Sequence, residues 1–187
     1  LSIREYGGPL VSGDAPNIIE NRYAYMLAVN NGNNPAIENG VTSITYTPPA
    51  GAITRELRFR TISGSNMQLF SGGGSTIDLE YFSSGLFSGS NEYGRVKLNT
   101  SIVTPWTPIF DGDIWNVRWW STSGTGRVQV QRASDHFVGR VSHQVSASGV
   151  ASAFTTAGAT IAGGFTGYIQ EFREWTEVLS QATFNDH

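Results

Sequence analysis

The stretch "STIDLEYF" (75–82) places two carboxylates, Asp78 and Glu80, two residues apart. On an extended strand both would project from one face, about 7 Å apart along the chain. A pair at such spacing is the raw material of glycoside hydrolysis, with one group as acid and the other as nucleophile or base. The same pattern also arises on any strand with a polar face over an apolar one. Ile77, Leu79 and Tyr81 occupy the alternating positions, and that account explains the stretch completely.

Other residues capable of chemistry are sparse. Asp135 adjoins His136 in "SDHF", and His143 and His187 are the remaining histidines. Neighbours in a loop rarely form a Ser–His–Asp triad, and no Gly-x-Ser-x-Gly elbow occurs. The absence of cysteine removes disulfides, thiolate metal sites and Cys nucleophiles together. Asn99-Thr100-Ser101 matches a glycosylation acceptor pattern, on a segment that reads as strand.

The elements that must position these residues follow from composition and periodicity. The chain has 187 residues, 39% hydrophobic and 14% charged, enough for one domain with a substantial core. A net charge of −3 advertises neither nucleic acid nor an anionic membrane surface as partner. No apolar run approaches the length of a membrane span. Basic residues are almost all arginine, with Lys97 the single lysine. Residues 1–20, rich in Gly and Pro, read as an extended arm, and 21–187 as one domain. The start at Leu1 suggests a processed product or a domain of something larger.

Strand-like segments recur from "YAYMLAV" (23–29) through "TRELRFRTI" (54–62), "DIWNVRWWST" (113–122) and "GRVQVQRA" (126–133) to "GYIQEFREW" (167–175). Short alternating runs separated by Gly, Ser and Asn clusters predict an all-β antiparallel sandwich. Parity sets Leu57 and Phe59 against Glu56, Arg58 and Arg60, and Val96 and Leu98 against Arg95, Lys97 and Asn99. It likewise sets Trp115, Val117 and Trp119 against Asn116, Arg118 and Trp120. Each such strand has one apolar and one solvated face. "TEVLSQATF" is the one plausible helical turn.

The order of pieces resembles a laminin G-like, concanavalin A-like jelly roll. "ITRELRFRTISGSNMQLFSGGGSTIDLEYFSSGLF" is similar to that family's opening strands. "FDGDIWNVRWW" resembles its Asp-Gly-x-Trp turn and strand, with Ile114 at the family's Trp position and Trp115 one place late. "GGFTGYIQEFREWTEVLS" resembles its closing segment, with Gln170 in place of an Asp and Glu174 in place of an apolar residue. The resemblance covers roughly 53–185. It implies a two-sheet antiparallel jelly roll used mostly for recognition. Related glycosidases carry Glu, Asp and Glu at alternating positions, where this chain has Thr76, Asp78 and Glu80. The nucleophile position is therefore a hydroxyl, and the chain is expected not to be an enzyme. Members of that family often bind one calcium at the rim, for which Asp111, Asp113, Asn91 and Asp135 are the candidate oxygen ligands here. The commoner role of Asp111 in its motif is to form the turn before the strand, and no cofactor is expected.

The expected function is a non-catalytic recognition module on a larger protein, binding a glycan or a protein receptor. Its expected site is a polar sheet face bearing Trp120, Arg118, Arg58, Asp78 and Glu80, provided their strands are neighbours. An exposed indole beside Arg and carboxylates suits stacking on a sugar ring and hydrogen bonding to its hydroxyls. Alternatively the N-terminal arm or "VTPWTP" (103–108) covers Trp120, and cross-strand pairs merely stabilise a solvated sheet. The second functional expectation is a structural surface domain of a capsid, fibre or adhesin that associates with copies of itself. Either reading places the chain outside the cell, on a cell surface or on a virion, with neither nucleic acid nor membrane insertion.

Overall fold

A computed structural model describes residues 27–29, 43–61, 64–82, 92–133 and 144–180. The arm proposed for 1–20, together with Asn91, Asp135 and the histidines, lies outside the described residues. Twelve strands are present: β1 (Leu27–Val29), β2 (Ile44–Tyr46), β3 (Thr54–Arg60), β4 (Met67–Gly72), β5 (Ser75–Tyr81) and β6 (Gly94–Leu98) form the first half. β7 (Ile102–Val103), β8 (Trp115–Thr122), β9 (Thr125–Arg132), β10 (Gln144–Val150), β11 (Ala159–Gly164) and β12 (Gly167–Trp175) complete it. They form two six-stranded antiparallel sheets, ordered β1-β12-β3-β8-β9-β10 and β2-β11-β4-β5-β6-β7. The chain changes sheet repeatedly, so the last strand pairs between the first and third. This is the two-sheet jelly roll that the alternation and the family resemblance imply.

Alternation explains why these segments are strands and which side faces in. Leu57 and Phe59 on β3, Ile77 and Leu79 on β5, Val96 and Leu98 on β6, and Val128 and Val130 on β9 are all buried in one core between the sheets. Trp115, Val117 and Trp119 join them from β8. β12 needs a register shift between Gln170 and Arg173 to do the same. The shift lets Ile169 and, further along, Phe172 both pack on the core.

Two arginines occupy inward positions, one near each end of the core. Arg55 shares parity with Leu57 and Phe59 and is fully buried. Its Nε donates to Glu174 Oε1 at 2.7 Å. Its Nη1 donates to the Gly73 carbonyl at 3.0 Å and to Ser75 Oγ at 2.9 Å. Glu174 belongs to the same sheet as Arg55, whereas Gly73 and Ser75 belong to the β4–β5 hairpin of the other. One guanidinium thus ties the two sheets together. Around it Phe70 and Phe172 stack at 5.7 Å, Trp119 lies 5.1 Å from Phe70, and Arg55 sits 4.3 Å over Phe154. Trp119 Nε1 also donates to Ser75 Oγ, at 3.0 Å. Gly73 has φ of 54°, and a Cβ there would come within 2.5 Å of Arg55 Nη2. Glycine is required because the turn closes directly on the guanidinium.

Glu174, which departs from the family's apolar residue, therefore has a physical reason. It faces inward to neutralise Arg55. Burial pushes the nearby Tyr46 phenol well above its usual pKa, and the Glu174 carboxylate adds to that while Arg55 opposes it. Truncating one member leaves the other charge stranded in an apolar core. Glu174→Ala is expected to cost about 3–5 kcal/mol in urea denaturation, whereas Arg55→Met/Glu174→Leu recovers most of that loss. A double variant no more stable than Glu174→Ala would contradict the pairing.

Candidate functional site

The two sheets divide the residues expected to share one face. Arg58, Arg118 and Trp120 lie on the outer face of the sheet containing β3 and β8, while Asp78 and Glu80 lie on the outer face of the other. The five do not form one site.

Asp78 and Glu80 sit in a cross-strand lattice. Asp78 faces Lys97 and Glu80 faces Arg95 across β5 and β6. Gln68 Nε2 donates to Asp78 at 3.0 Å. Arg95 Nε donates to Glu80 at 3.0 Å, and Lys97 Nζ lies 2.5 Å from the same carboxylate. Hydrogen bonds from Arg95 and then Lys97 hold the Glu80 carboxyl below its usual pKa. This keeps it an ion-paired anion rather than a proton donor. Trp106 joins this side of the molecule, 4.5 Å from the Arg95 guanidinium and 4.8 Å from Phe82. It belongs with Arg95, so the segment expected to cover Trp120 packs elsewhere.

On the other outer face, strand register defines rows of neighbours. One row runs Ser148, Arg127, Trp120, Thr54, Trp175. The next runs Ser146, Gln129, Arg118, Glu56, Arg173. Parity predicts a solvated surface here, yet Glu56, Arg58, Asn116, Arg118 and Gln129 are each at most 4% exposed. Part of the reason is the segment 176–180. It does not form the expected helical turn but crosses this face. Thr54 Oγ1 donates to the Glu177 carbonyl at 2.6 Å. Arg118 Nη1 donates to the carbonyls of Leu179 and Ser180, at 3.1 and 3.0 Å. Arg118 Nη2 donates to Gln129 Oε1 at 2.7 Å, and Arg58 Nε to Asn116 Oδ1 at 2.8 Å. Burial lowers the Arg118 pKa while the Glu56 carboxylate opposite works against that.

Beside this segment lies a groove of about 420 Å³. Arg118, Trp120, Arg127 and Gln129 form its floor, with Leu179 also lining it. The edge strand β10 contributes Gln144, Ser146 and Ser148. Trp120 is half-buried, and the Arg118 guanidinium lies 5.0 Å from its ring centroid. Arg127 is exposed. The groove thus combines an aromatic ring, a free guanidinium, amides and hydroxyls.

The calcium candidates assemble differently. Asp111 Oδ1 accepts from the Asp113 amide at 2.9 Å and from Trp115 Nε1 at 3.0 Å, which orders the turn before β8. Arg132 shares inward parity with Val128 and Val130. Its Nη2 lies 2.6 Å from Asp111 Oδ2, and its Nη1 donates to Asp113 Oδ2. The ring of Trp115 lies 4.8 Å from the same guanidinium. The two buried carboxylates share one guanidinium, and their Oδ2 atoms converge on it rather than on a metal position. Asp111 and Asp113 as arranged do not fit calcium. Among the described residues no group of three or more His, Asp or Glu side chains could hold a metal ion. Asn99, in the acceptor pattern, lies in the turn after β6 rather than on a strand, and its Oδ1 accepts from the Thr76 amide at 2.7 Å.

No family model matches the sequence, and no curated protein is similar to it. The solved structures similar in shape include a pentraxin and a laminin region. One is a native heptameric SAP-like pentraxin from Limulus polyphemus, at 16% identity, TM-score 0.48, covering 76% of this chain and 73% of that one. The other is the LG1-3 region of the laminin alpha2 chain, at 14% identity and TM-score 0.46. It is matched over 74% of this chain and 31% of its own length, so this chain spans about a third of it. The likeness concerns the fold alone.

Arg132→Met strands two carboxylates in the interior and is expected to cost about 3–5 kcal/mol. In the unaltered protein, calcium and chelator are expected to give the same Tm. A calcium-dependent rise in Tm would contradict the arginine clamp as the partner of Asp111 and Asp113.

Proposed function

We propose that the chain is a non-catalytic recognition module and that the groove beside 176–180 binds a saccharide. The observation that carries this reading is Trp120, half-buried on the groove floor and flanked by Arg127 and Gln129. Sugar rings offer an apolar face for stacking and hydroxyls for bidentate hydrogen bonds, and this floor supplies both counterparts. The groove volume is that of small-ligand sites. Asp78 and Glu80 supply no competing catalytic reading, because each is engaged in a cross-strand pair. Such a module acts outside the cell, displayed on a larger protein. Among the described residues no helix is long and apolar enough to cross a membrane.

The test is a glycan array probed with the purified chain and with Trp120→Ala. Binding by the unaltered chain, lost in Trp120→Ala at unchanged thermal stability, is the expected outcome. Equal binding by both proteins would sink the assignment of this groove.

One observation favours self-association as a second reading. Among the described strands β10 lies at a sheet edge; its seven residues carry no charged side chain and no register shift, and Val150 is 87% exposed. Such an edge is a template for pairing with another strand. Sedimentation at rising concentration is expected to show a dimer that Val150→Lys weakens. A monomer throughout would remove this reading.

A further inference from the structure

The two outer faces differ in charge, and the difference has a chemical consequence. On the sheet holding β5 and β6, Asp78 and Glu80 face Lys97 and Arg95, so anions and cations balance. On the sheet holding β3 and β8, the described outward side chains include Arg58, Arg60, Arg118, Arg127 and Arg173 against Glu56, with Glu177 on the segment that crosses this face. A chain of net charge −3 thus concentrates cations on the face that carries the groove.

The buried arginines of that face are already engaged. Arg58 binds Asn116, and Arg118 binds Gln129 and the carbonyls of 179 and 180. Arg60 donates to the Gly112 carbonyl at 2.6 Å and lies 5.7 Å from the Tyr168 ring. Arg127 differs. It is exposed, lines the groove, and has Ser148 and Trp120 rather than a carboxylate as its row neighbours. Among the described residues no acidic side chain lines the groove. A guanidinium presents a planar fork suited to an anion's paired oxygens, and the surrounding cations raise the local potential for one.

From this we infer that the groove selects an acidic saccharide, with its carboxylate or sulfate held by Arg127 and its ring stacked on Trp120. The inference rests on the reading of the groove as a saccharide site. Stacking and the hydroxyl- and amide-bearing walls favour a sugar over an acidic peptide, whose backbone offers no ring face.

Calorimetric titration of the full chain and of Arg127→Gln tests it. The ligands are matched disaccharides that are neutral, carboxylate-bearing or sulfated, together with a short glutamate-rich peptide. The expected result is an acidic disaccharide bound about tenfold more tightly than its neutral counterpart. Arg127→Gln is expected to erase that preference, lowering the affinity for the acidic disaccharide about tenfold more than that for its neutral counterpart. The carboxylate and sulfate arms identify the anion. Equal binding of neutral and acidic sugars by the unaltered chain overturns the inference and leaves the groove reading standing. So does an acidic preference that survives in Arg127→Gln. Tighter binding of the peptide than of any sugar, or no sugar binding at all, overturns both.

Discussion

A positive charge placed between two sheets constrains the whole sandwich. Arg55 points into the core, and a buried guanidinium is costly unless its charge is paired. A carboxylate from β12 accepts from Nε, and a hydroxyl and a carbonyl from the β4–β5 hairpin accept from Nη1. The rings of Phe70 and Phe154 flank the guanidinium, whose Nη2 is left without a hydrogen-bond partner. These groups come from both sheets. The ion pair therefore fixes how one sheet sits over the other at that end, and it explains Glu174, Ser75 and Gly73 at once.

At the opposite end of the core Arg132 plays the corresponding part. It holds Asp111 and Asp113 and stacks by Trp115, so the loop entering β8 is fixed where that strand begins. With both ends anchored by inward arginines, the outer faces are free to differ. One is a balanced lattice of paired charges. The other is a cationic face crossed by 176–180, leaving a groove between that segment and β10. The paired strands hold Trp120 and Arg127 side by side on the groove floor, so the proposed binding would require little ordering of these two side chains.

Much of the fold was legible because the apolar alternation of β3, β5, β6, β8 and β9 is long enough to set a period and a face. β7, with two residues, carries no period and was not visible. Arg55 and Arg132 were legible in principle, since each continues the apolar parity of its strand, but a charged residue at a strand end reads by default as solvent-facing. The five residues expected to share one face are divided between the two sheets. Parity tells which face a side chain takes within a strand, whereas partners across strands are set by long-range pairing. Arg118 and Trp120 were separated from Asp78 and Glu80 by that pairing alone. Residues 176–180 had helical composition, yet hydrogen bonds from Thr54 and Arg118 draw their carbonyls across the sheet. Gln129, Arg127 and Ser146 were missed because only strand register brings them beside Trp120.

The central claim is that recognition belongs to the β8–β9–β10 face and not to the charge lattice of β5 and β6. Trp120 and, further along its row, Trp175 lie on the first face and Trp106 on the second, and their indole N–H resonances report separately. The most direct measurement is a nitrogen–proton correlation spectrum during titration with an acidic disaccharide. Shifts at the Trp120 indole and at backbone amides of β9 and β10, with Trp106 unmoved, are predicted. Shifts centred on Trp106, Arg95 and Lys97 would contradict the account.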